Sequence, residues 1–453
     1  MSSEWVSVSI GEIAGDWKGS MAVGPFGSRM KADLYVPSGV RVIRGNNLSG
    51  GREPEGDYVY VTEETADSLA SCCLKPGDLV FPHRGNIGEV GITPDDGLRY
   101  MLSTSLMKLS PDREKAEPLY LMYFFKSVIG RAALLMNASQ VGTPGIATPL
   151  KSLRGIQLPL PPLVVQRQIA DTLSKLDDRI TLLRETNATL EAIAQALFQS
   201  WFVDFDPVRA KLEGRTPEGM DEATTALFPD GFEESELGLV PRGWRLVPYG
   251  QLLSQTIGGD WGSDQPTEVN NTKVAIIRGT DIPDLQSGAK SRVPVRYTSE
   301  KKLATRKLED GDIVLEVSGG SKDQPTGRAL YLTNAILNQF DCPVEPASFC
   351  RLLRPDTKEL GVLLGQHLTY IYDQGKTWEY QNQSTGIANF QTTHFLATEL
   401  VAVPSNGVLL AFVAFVRPMI DRMQPTQAQT LATLRDTLLP RLISGQLRLP
   451  EIL

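Results

Sequence analysis

Residue types that build metal and redox sites are scarce in this chain. In 453 residues there are four cysteines (Cys72, Cys73, Cys342, Cys350) and three histidines (His83, His367, His394). No two cysteines stand in CxxC spacing and no two histidines in HxH or HxxxH spacing. Neither a zinc site nor a disulfide framework is expected; reduced, mostly buried thiols are. Catalytic signatures are missing as well. There is no phosphate-cradling P-loop and no Gly-x-Ser-x-Gly elbow. Leu160-Pro-Pro-Leu163 lacks the polar and aromatic ends of an adenine-methyltransferase motif. Asp204 and Asp206 are close together but have no third ligand or basic partner in the pattern, so they are expected to end the preceding helix. Long apolar runs are absent too. The longest, Val408 to Val416, falls far short of the roughly 20 residues of a membrane span. The N-terminal segment has neither the basic start nor the apolar run of a signal peptide. A cytoplasmic location with no membrane partner is the expectation.

What is present fits a globular chain, with 41% hydrophobic and 22% charged residues. The formal charge is −8, and it is concentrated. Residues 206–240 carry three basic against nine acidic side chains, a net −6. The regions on either side are nearly balanced, so each can still present a basic face.

The sequence repeats itself in order. Trp5-Val-Ser-Val is echoed by Trp244-Arg-Leu-Val, and Val40-Arg-Val-Ile-Arg-Gly-Asn-Asn-Leu48 by Val274-Ala-Ile-Ile-Arg-Gly-Thr-Asp-Ile282. Leu74-Lys-Pro-Gly-Asp-Leu-Val80 is echoed by Leu308-Glu-Asp-Gly-Asp-Ile-Val314. Thr143-Pro-Gly-Ile-Ala147 resembles Ser384-Thr-Gly-Ile-Ala388, and Leu158-Pro-Leu-Pro161 matches Val401-Ala-Val-Pro404. Five matches in order indicate a duplication. The β-branched Val40, Val42 and Ile43 predict a strand, and the Gly-Asp pairs at Gly77 and Gly311 predict turns into short strands at 79–81 and 313–315. Pro118 to Met136 and Lys358 to Asp373 read as helical.

After Pro161-Pro162 the period changes. Ile169, Leu173, Leu176, Ile180, Leu183, Asn187, Leu190, Ala194, Leu197 and Trp201 follow 4-3-4-3 spacing, a heptad seam. A helix this long cannot cover its stripe against a small domain alone. The second half supplies a partner in Leu409, Val413, Val416, Ile420 and Met423, then Leu431, Leu434, Leu438 and Leu442. Pro418, Pro425 and Pro440 predict that this second helix is kinked or segmented. Since each helix leaves its own half and must reach the other, an antiparallel pair is expected.

Two Trp-entered halves, each left by a Leu-Pro segment and a long helix, resemble the specificity subunit of type I restriction–modification enzymes. Leu163-Val-Val-Gln-Arg-Gln-Ile169 is similar to that family's helix entry. Gln199-Ser-Trp-Phe-Val-Asp-Phe-Asp-Pro207 and Gly238-Leu-Val-Pro-Arg-Gly-Trp244 resemble its central region, and Leu438-Leu-Pro-Arg-Leu-Ile-Ser-Gly-Gln-Leu447 its end. The resemblance implies an α+β fold: two similar globular target-recognition domains separated by an antiparallel pair of long coiled-coil-like helices, a pseudo-twofold repeat. The implied boundaries are 1–160 and 244–404 for the domains, 161–205 and 405–453 for the helices, and 206–243 for an acidic linker. It implies a non-catalytic subunit that reads a bipartite, asymmetric site on double-stranded DNA. Two methyltransferase subunits would dock on it, with restriction subunits in some assemblies. No cofactor is expected on this chain; S-adenosylmethionine, ATP and Mg are expected in the partners. The alternative is an interaction scaffold of the same architecture without sequence-specific DNA reading. The entry of the second helix, Asn406-Gly-Val-Leu-Leu410, departs from the pattern in lacking Gln-Arg-Gln.

DNA reading needs Arg or Lys for guanine and phosphate, and Asn or Gln for adenine. Candidates in the first half are Arg29, Lys31, Arg44, Asn46, Asn47, Arg84 and Asn86, with Gln140 and Thr143 in a Gly/Pro-rich loop. In the second half they are Arg278, Lys322, Arg328 and Lys376, with Gln381, Asn382, Gln383 and Ser384. Arg44 and Arg278 recur in both halves and so suit a structural or phosphate-binding role. Trp261, Trp378 and Tyr380 are candidates for base stacking, with core packing as the alternative.

Overall fold

The computed structural model describes residues 5–26, 29–48, 51–139, 144–235, 238–287, 292–320, 324–384, 387–423 and 426–450. The chain forms two compact units, Met1–Asp178 with Ala432–Leu453, and Arg179–Leu431. The fold class is α+β, and the repeat seen in the sequence is a repeat of strand topology.

In the first unit, Val6–Ser9 pairs antiparallel with Gln157–Leu160, so the tryptophan-led entry lies against the Leu-Pro exit. A four-stranded sheet runs Met21–Val23, Leu106–Leu109, Leu79–Pro82, Gly91–Ile92. A second runs Val59–Val61, Val40–Ile43, Tyr100–Leu102, Cys73–Leu74. Its central pair is parallel, with Val42 opposite Met101 and Ile43 opposite Leu102. Val42, Ile43, Met101 and Leu102 are fully buried, each contributing about 1.5–3 kcal/mol.

The second unit repeats this order. Arg245–Pro248 pairs with Leu400–Val403. One sheet runs Leu253–Gly258, Cys350–Pro355, Ile313–Glu316, Ala329–Tyr331. The other runs Val295–Thr298, Thr272–Ile277, Val344–Pro346, again with a parallel central pair. Lys358–Asp373 is a single helix, as its pattern predicts, capped by the Thr357 hydroxyl. The stretch predicted as one helix from Pro118 is two, Pro118–Lys126 and Val128–Leu135. Ser127 divides them: its hydroxyl caps the second helix at the Gly130 N–H and donates back to Phe124 O.

The long helix Leu163–Phe202 is continuous. Ile169, Leu173, Ile180, Ala194 and Trp201 are buried, and Leu176, Leu183, Asn187, Leu190 and Leu197 half-buried, so the heptad seam is the covered face. The C-terminal helices are Asn406–Arg422 and Thr426–Ile443. In the second unit Phe412 packs on Phe198 and Phe202. In the first, Arg435 bonds Asp177 at 2.6 Å. The earlier part of the long helix thus pairs with the later C-terminal helix and its later part with the earlier one, the order that antiparallel helices require.

Three expectations need correction. The second helix is segmented as expected, into Asn406–Arg422 and Thr426–Ile443, but Pro418 and Pro440, expected to interrupt it as well, lie inside helices. Both are exposed, as are Ala414 and Asp436 one turn earlier, whose carbonyls lose an N–H partner on a face that water can reach. Leu434 is exposed and not part of the seam. The covered row in this segment is Ala428, Leu431, Arg435, Leu438 and Leu442, with Arg435 in the place expected of a leucine. Nor is 206–243 a mere linker. Asp206–Leu212 and Glu222–Leu227 are helical, Phe232–Ser235 pairs with Gly238–Pro241, and Val208 and Phe228 enter the second unit's core. Phe205, with φ 57°, makes the bend between Asp204 and Asp206, and Asp206 opens the next helix.

Candidate nucleic-acid interface

Strand order decides which loops meet. In the first unit, Met21–Val23 and Leu79–Pro82 both run antiparallel to Leu106–Leu109, and both end beside its start: Val23 faces Met107 and Pro82 faces Leu106. Strand Val40–Ile43 ends opposite Leu102, four residues before that same start. The connections after Val23, Ile43 and Pro82 therefore leave from one end. The segment around Gly145 joins them through an Arg84–Gly145 bridge and an Ile146 N–H bond to His83 O of 2.9 Å.

On these connections Arg29, Lys31, Asn46, Arg84 and Asn86 are exposed. Arg29, Lys31 and Arg84 have no ion pair among the described residues, leaving their charge available to an external anion. Arg44 is half-buried, and its guanidinium donates to Asp57 O at 3.1 Å. Asn47 is buried: its Oδ1 accepts the Arg44 N–H at 2.9 Å, and its Nδ2 donates to Glu55 O and Asp57 O at 2.8 and 3.1 Å. With its amide committed to the turn, Asn47 is a builder of the loop and not a reader of bases. Gln140 and Thr143 lie outside the described residues.

The second unit assembles the same end. Gly258 faces Arg351 and Glu316 faces Cys350, both at the start of Cys350–Pro355, and Ser318 bridges to Asn389 of the hairpin Gln381–Phe390. Its cations are more committed. Arg278 binds Asp281 through Nε and Nη2 at 2.9 and 2.8 Å, which raises its pKa. Arg328 grips buried Glu316, with Nε to Oε2 at 2.8 Å. Lys376 meets Glu399 at 2.7 Å, a carboxylate that also takes His367 Nε2 at 2.8 Å and the Tyr380 hydroxyl at 2.6 Å. Burial alone would raise the Glu399 carboxyl, but hydrogen bonds and charge from His367, then Lys376 and Tyr380, hold it at about 2. Tyr380 is thus a core residue, whereas Trp261 and Trp378 are exposed. Gln381 Oε1 accepts the Thr326 N–H at 2.9 Å, and Asn382 is exposed. Lys322 and the side chains of Gln383 and Ser384 lie outside the described residues.

One repeated motif escaped the sequence reading, although Trp261 within it is already a stacking candidate. Gly24-Pro-Phe-Gly-Ser28 and Gly259-Asp-Trp-Gly-Ser263 are a sixth repeat match, Gly-x-aromatic-Gly-Ser. In each unit the first glycine directly follows the strand. A Cβ on Gly24 would stand 1.7 Å from Ser103 O, and one on Gly259 2.2 Å from Ala347 O, so only glycine lets the chain pass. Beside Trp261 opens a cavity of about 430 Å³ whose lining includes Arg278, Glu316, Gly319 and Phe349.

Residues 3–192 match the family described as the type I restriction modification DNA specificity domain. The chain is 28% identical over 432 residues to the type I restriction enzyme HindI specificity subunit of Haemophilus influenzae, covering 83% of this chain and 88% of that one. By both comparisons the chain is similar to the specificity subunits of type I restriction enzymes. A second relative, the MjaIX specificity subunit of Methanocaldococcus jannaschii, is 22% identical over 485 residues, covering 99% of this chain and 98% of that one. The fold is that of the type I restriction–modification S subunit from M. genitalium, with a TM-score of 0.55 at 15% identity over 100% of this chain and 97% of that one. Among the described residues no helix is long and apolar enough to cross a membrane, and no group of three metal-ligating side chains comes together.

Proposed function

We propose that this chain is the non-catalytic DNA-reading subunit of a type I enzyme, each unit recognising one half of a bipartite, asymmetric site on double-stranded DNA. The observation that carries the reading is the pair of equivalent loop ends, built on one strand plan but furnished with different side chains. Shared backbone with unshared loops is what two different half-sites require. In the first unit, Arg29, Lys31 and Arg84 serve phosphate, and Asn46 and Asn86 reach base edges; in the second, Asn382 does so. The seam helices dock two methyltransferase subunits, and restriction subunits can join them. Methyl transfer from S-adenosylmethionine and ATP use with Mg belong to those partners.

Sequencing modified bases in cells carrying the subunit with its methyltransferase tests the reading. A split, asymmetric recognition sequence is expected. Methylation without sequence preference, or unaltered by charge reversal at Arg29, Lys31 and Arg84, would sink it in favour of the scaffold alternative.

A further inference from the structure

The Gly-x-aromatic-Gly-Ser repeat sets one aromatic ring at the same place in each loop end. Phe26 lies three residues beyond the end of strand Met21–Val23, and Trp261 three beyond the end of Leu253–Gly258. Their frames are held by equivalent hydrogen bonds: Gly24 N–H to Leu106 O at 2.8 Å, and Gly259 N–H to Cys350 O at 3.0 Å. Both rings are turned outward, Phe26 62% exposed and Trp261 39% exposed. A large aromatic left in water loses the burial that normally stabilises it. Two such rings at equivalent sites point to a shared external contact.

Trp261 is also fixed in orientation. The Arg296 guanidinium lies 4.4 Å from its ring centroid, and Arg296 Nε donates to the Trp261 carbonyl. Arg296 is itself largely buried and tied to Asp264. This clamp preorganises the indole, so ordering it on binding costs little side-chain entropy. The cavity next to the indole, with exposed Phe349 also on its lining, gives room for a flat or methyl-bearing group.

We infer that Phe26 and Trp261 are DNA-contacting residues, each packing its ring against the base edges of its own half-site, where a thymine methyl is the apolar group on offer. This rests on the DNA-reading function proposed above and adds to it a contact that carries no charge. Loss of recognition at one base pair costs about 1–3 kcal/mol, about 5- to 150-fold in affinity. Because no counterion is released, the aromatic contacts leave the salt dependence alone, whereas each phosphate contact adds about 0.9 to the log–log slope.

The test uses the full chain assembled with its methyltransferase. Binding is measured by fluorescence anisotropy on a duplex carrying the site found by modified-base sequencing, and on duplexes with one half-site scrambled. Phe26→Ala is expected to weaken binding about ten-fold and to erase most of the preference for one half-site, and Trp261→Ala to do the same for the other. Both should keep the wild-type salt slope, while Arg84→Ala lowers it. Trp261→Phe should restore much of the loss. The inference is overturned if both alanine variants keep wild-type affinity and both half-site preferences. It is equally overturned if Trp261→Phe is as weak as Trp261→Ala, or if the alanine variants lower the salt slope. If the wild-type complex itself shows no preference for the intact site over a scrambled one, the DNA-reading function fails, and the inference with it.

Discussion

Where the first unit sets Met101 opposite Val42 in its parallel strand pair, the second sets Glu345 opposite Ile276. Where the matched strand of the first ends in Pro82, that of the second ends in Glu316, buried and held by Arg328. The helix entries differ likewise. Gln166, fully buried, accepts the Glu117 N–H at 2.9 Å and donates to Lys115 O and Pro161 O at 3.1 and 2.8 Å. At the fourth helical position of the second entry stands buried Leu409, while Ser405 caps the helix. One backbone plan thus accepts apolar or ionic side chains at corresponding positions, provided each buried polar group finds a partner. Glu345 breaks that condition: it is fully buried, and neither carboxylate oxygen has a hydrogen-bond partner among the described residues.

The largest effect is expected at Glu316. Arg328→Met leaves its carboxylate buried and unpaired, which should cost about 3–5 kcal/mol. Chemical denaturation followed by hydrogen exchange should place the loss in the second unit alone, since the first has Pro82 there. A loss below about 1 kcal/mol would mean that the pair contributes nothing the apolar version lacks.

Next comes Glu345. Burial, with Asp260 adding to it and Arg306 and Lys302 opposing, raises this carboxyl to about 7. In the unfolded chain it titrates near ~4.3. Below that pH it is neutral in both states and costs nothing by charge. Between the two values the unfolded state releases its proton first, so stability falls as pH rises, and the full cost is present above about 7. Glu345→Met, which copies the first unit, should therefore stabilise by roughly 1–3 kcal/mol at pH 8, with the gain shrinking towards pH 5. A gain independent of pH would assign the effect to packing instead of charge.

The smallest change separates the helix entries. Gln166→Leu makes the first resemble the second but orphans the Glu117 N–H and two carbonyls, a cost of about 1–3 kcal/mol. Thermal melts of the two variants, Gln166→Leu and Leu409→Gln, should show that neither solution transplants. A neutral Gln166→Leu would erase this part of the contrast.

Much of this was legible along the chain. The duplication, the strand at Val40–Ile43, the helix Lys358–Asp373 and the seam from Ile169 to Trp201 rest on local periodicity, which a sequence displays directly. The exposed Arg29, Lys31 and Arg84 could be named, but not distinguished from Arg328 or Asn47. What separates them is contact with residues distant in sequence: Glu316 for Arg328, and the carbonyls of Glu55 and Asp57 for Asn47. Likewise the exchange of Leu434 for Arg435 on the covered face follows from the break between the two C-terminal helices, which resets the helical phase.

By itself, then, the sequence determined the twofold plan, the fold class and the helix seam, because period and order survive without coordinates. Tertiary structure decided which loops share an end, which cations are already neutralised, and which aromatics are left facing water. Those properties depend on strand order and on pairings between distant positions, and neither is encoded in any local stretch of residues.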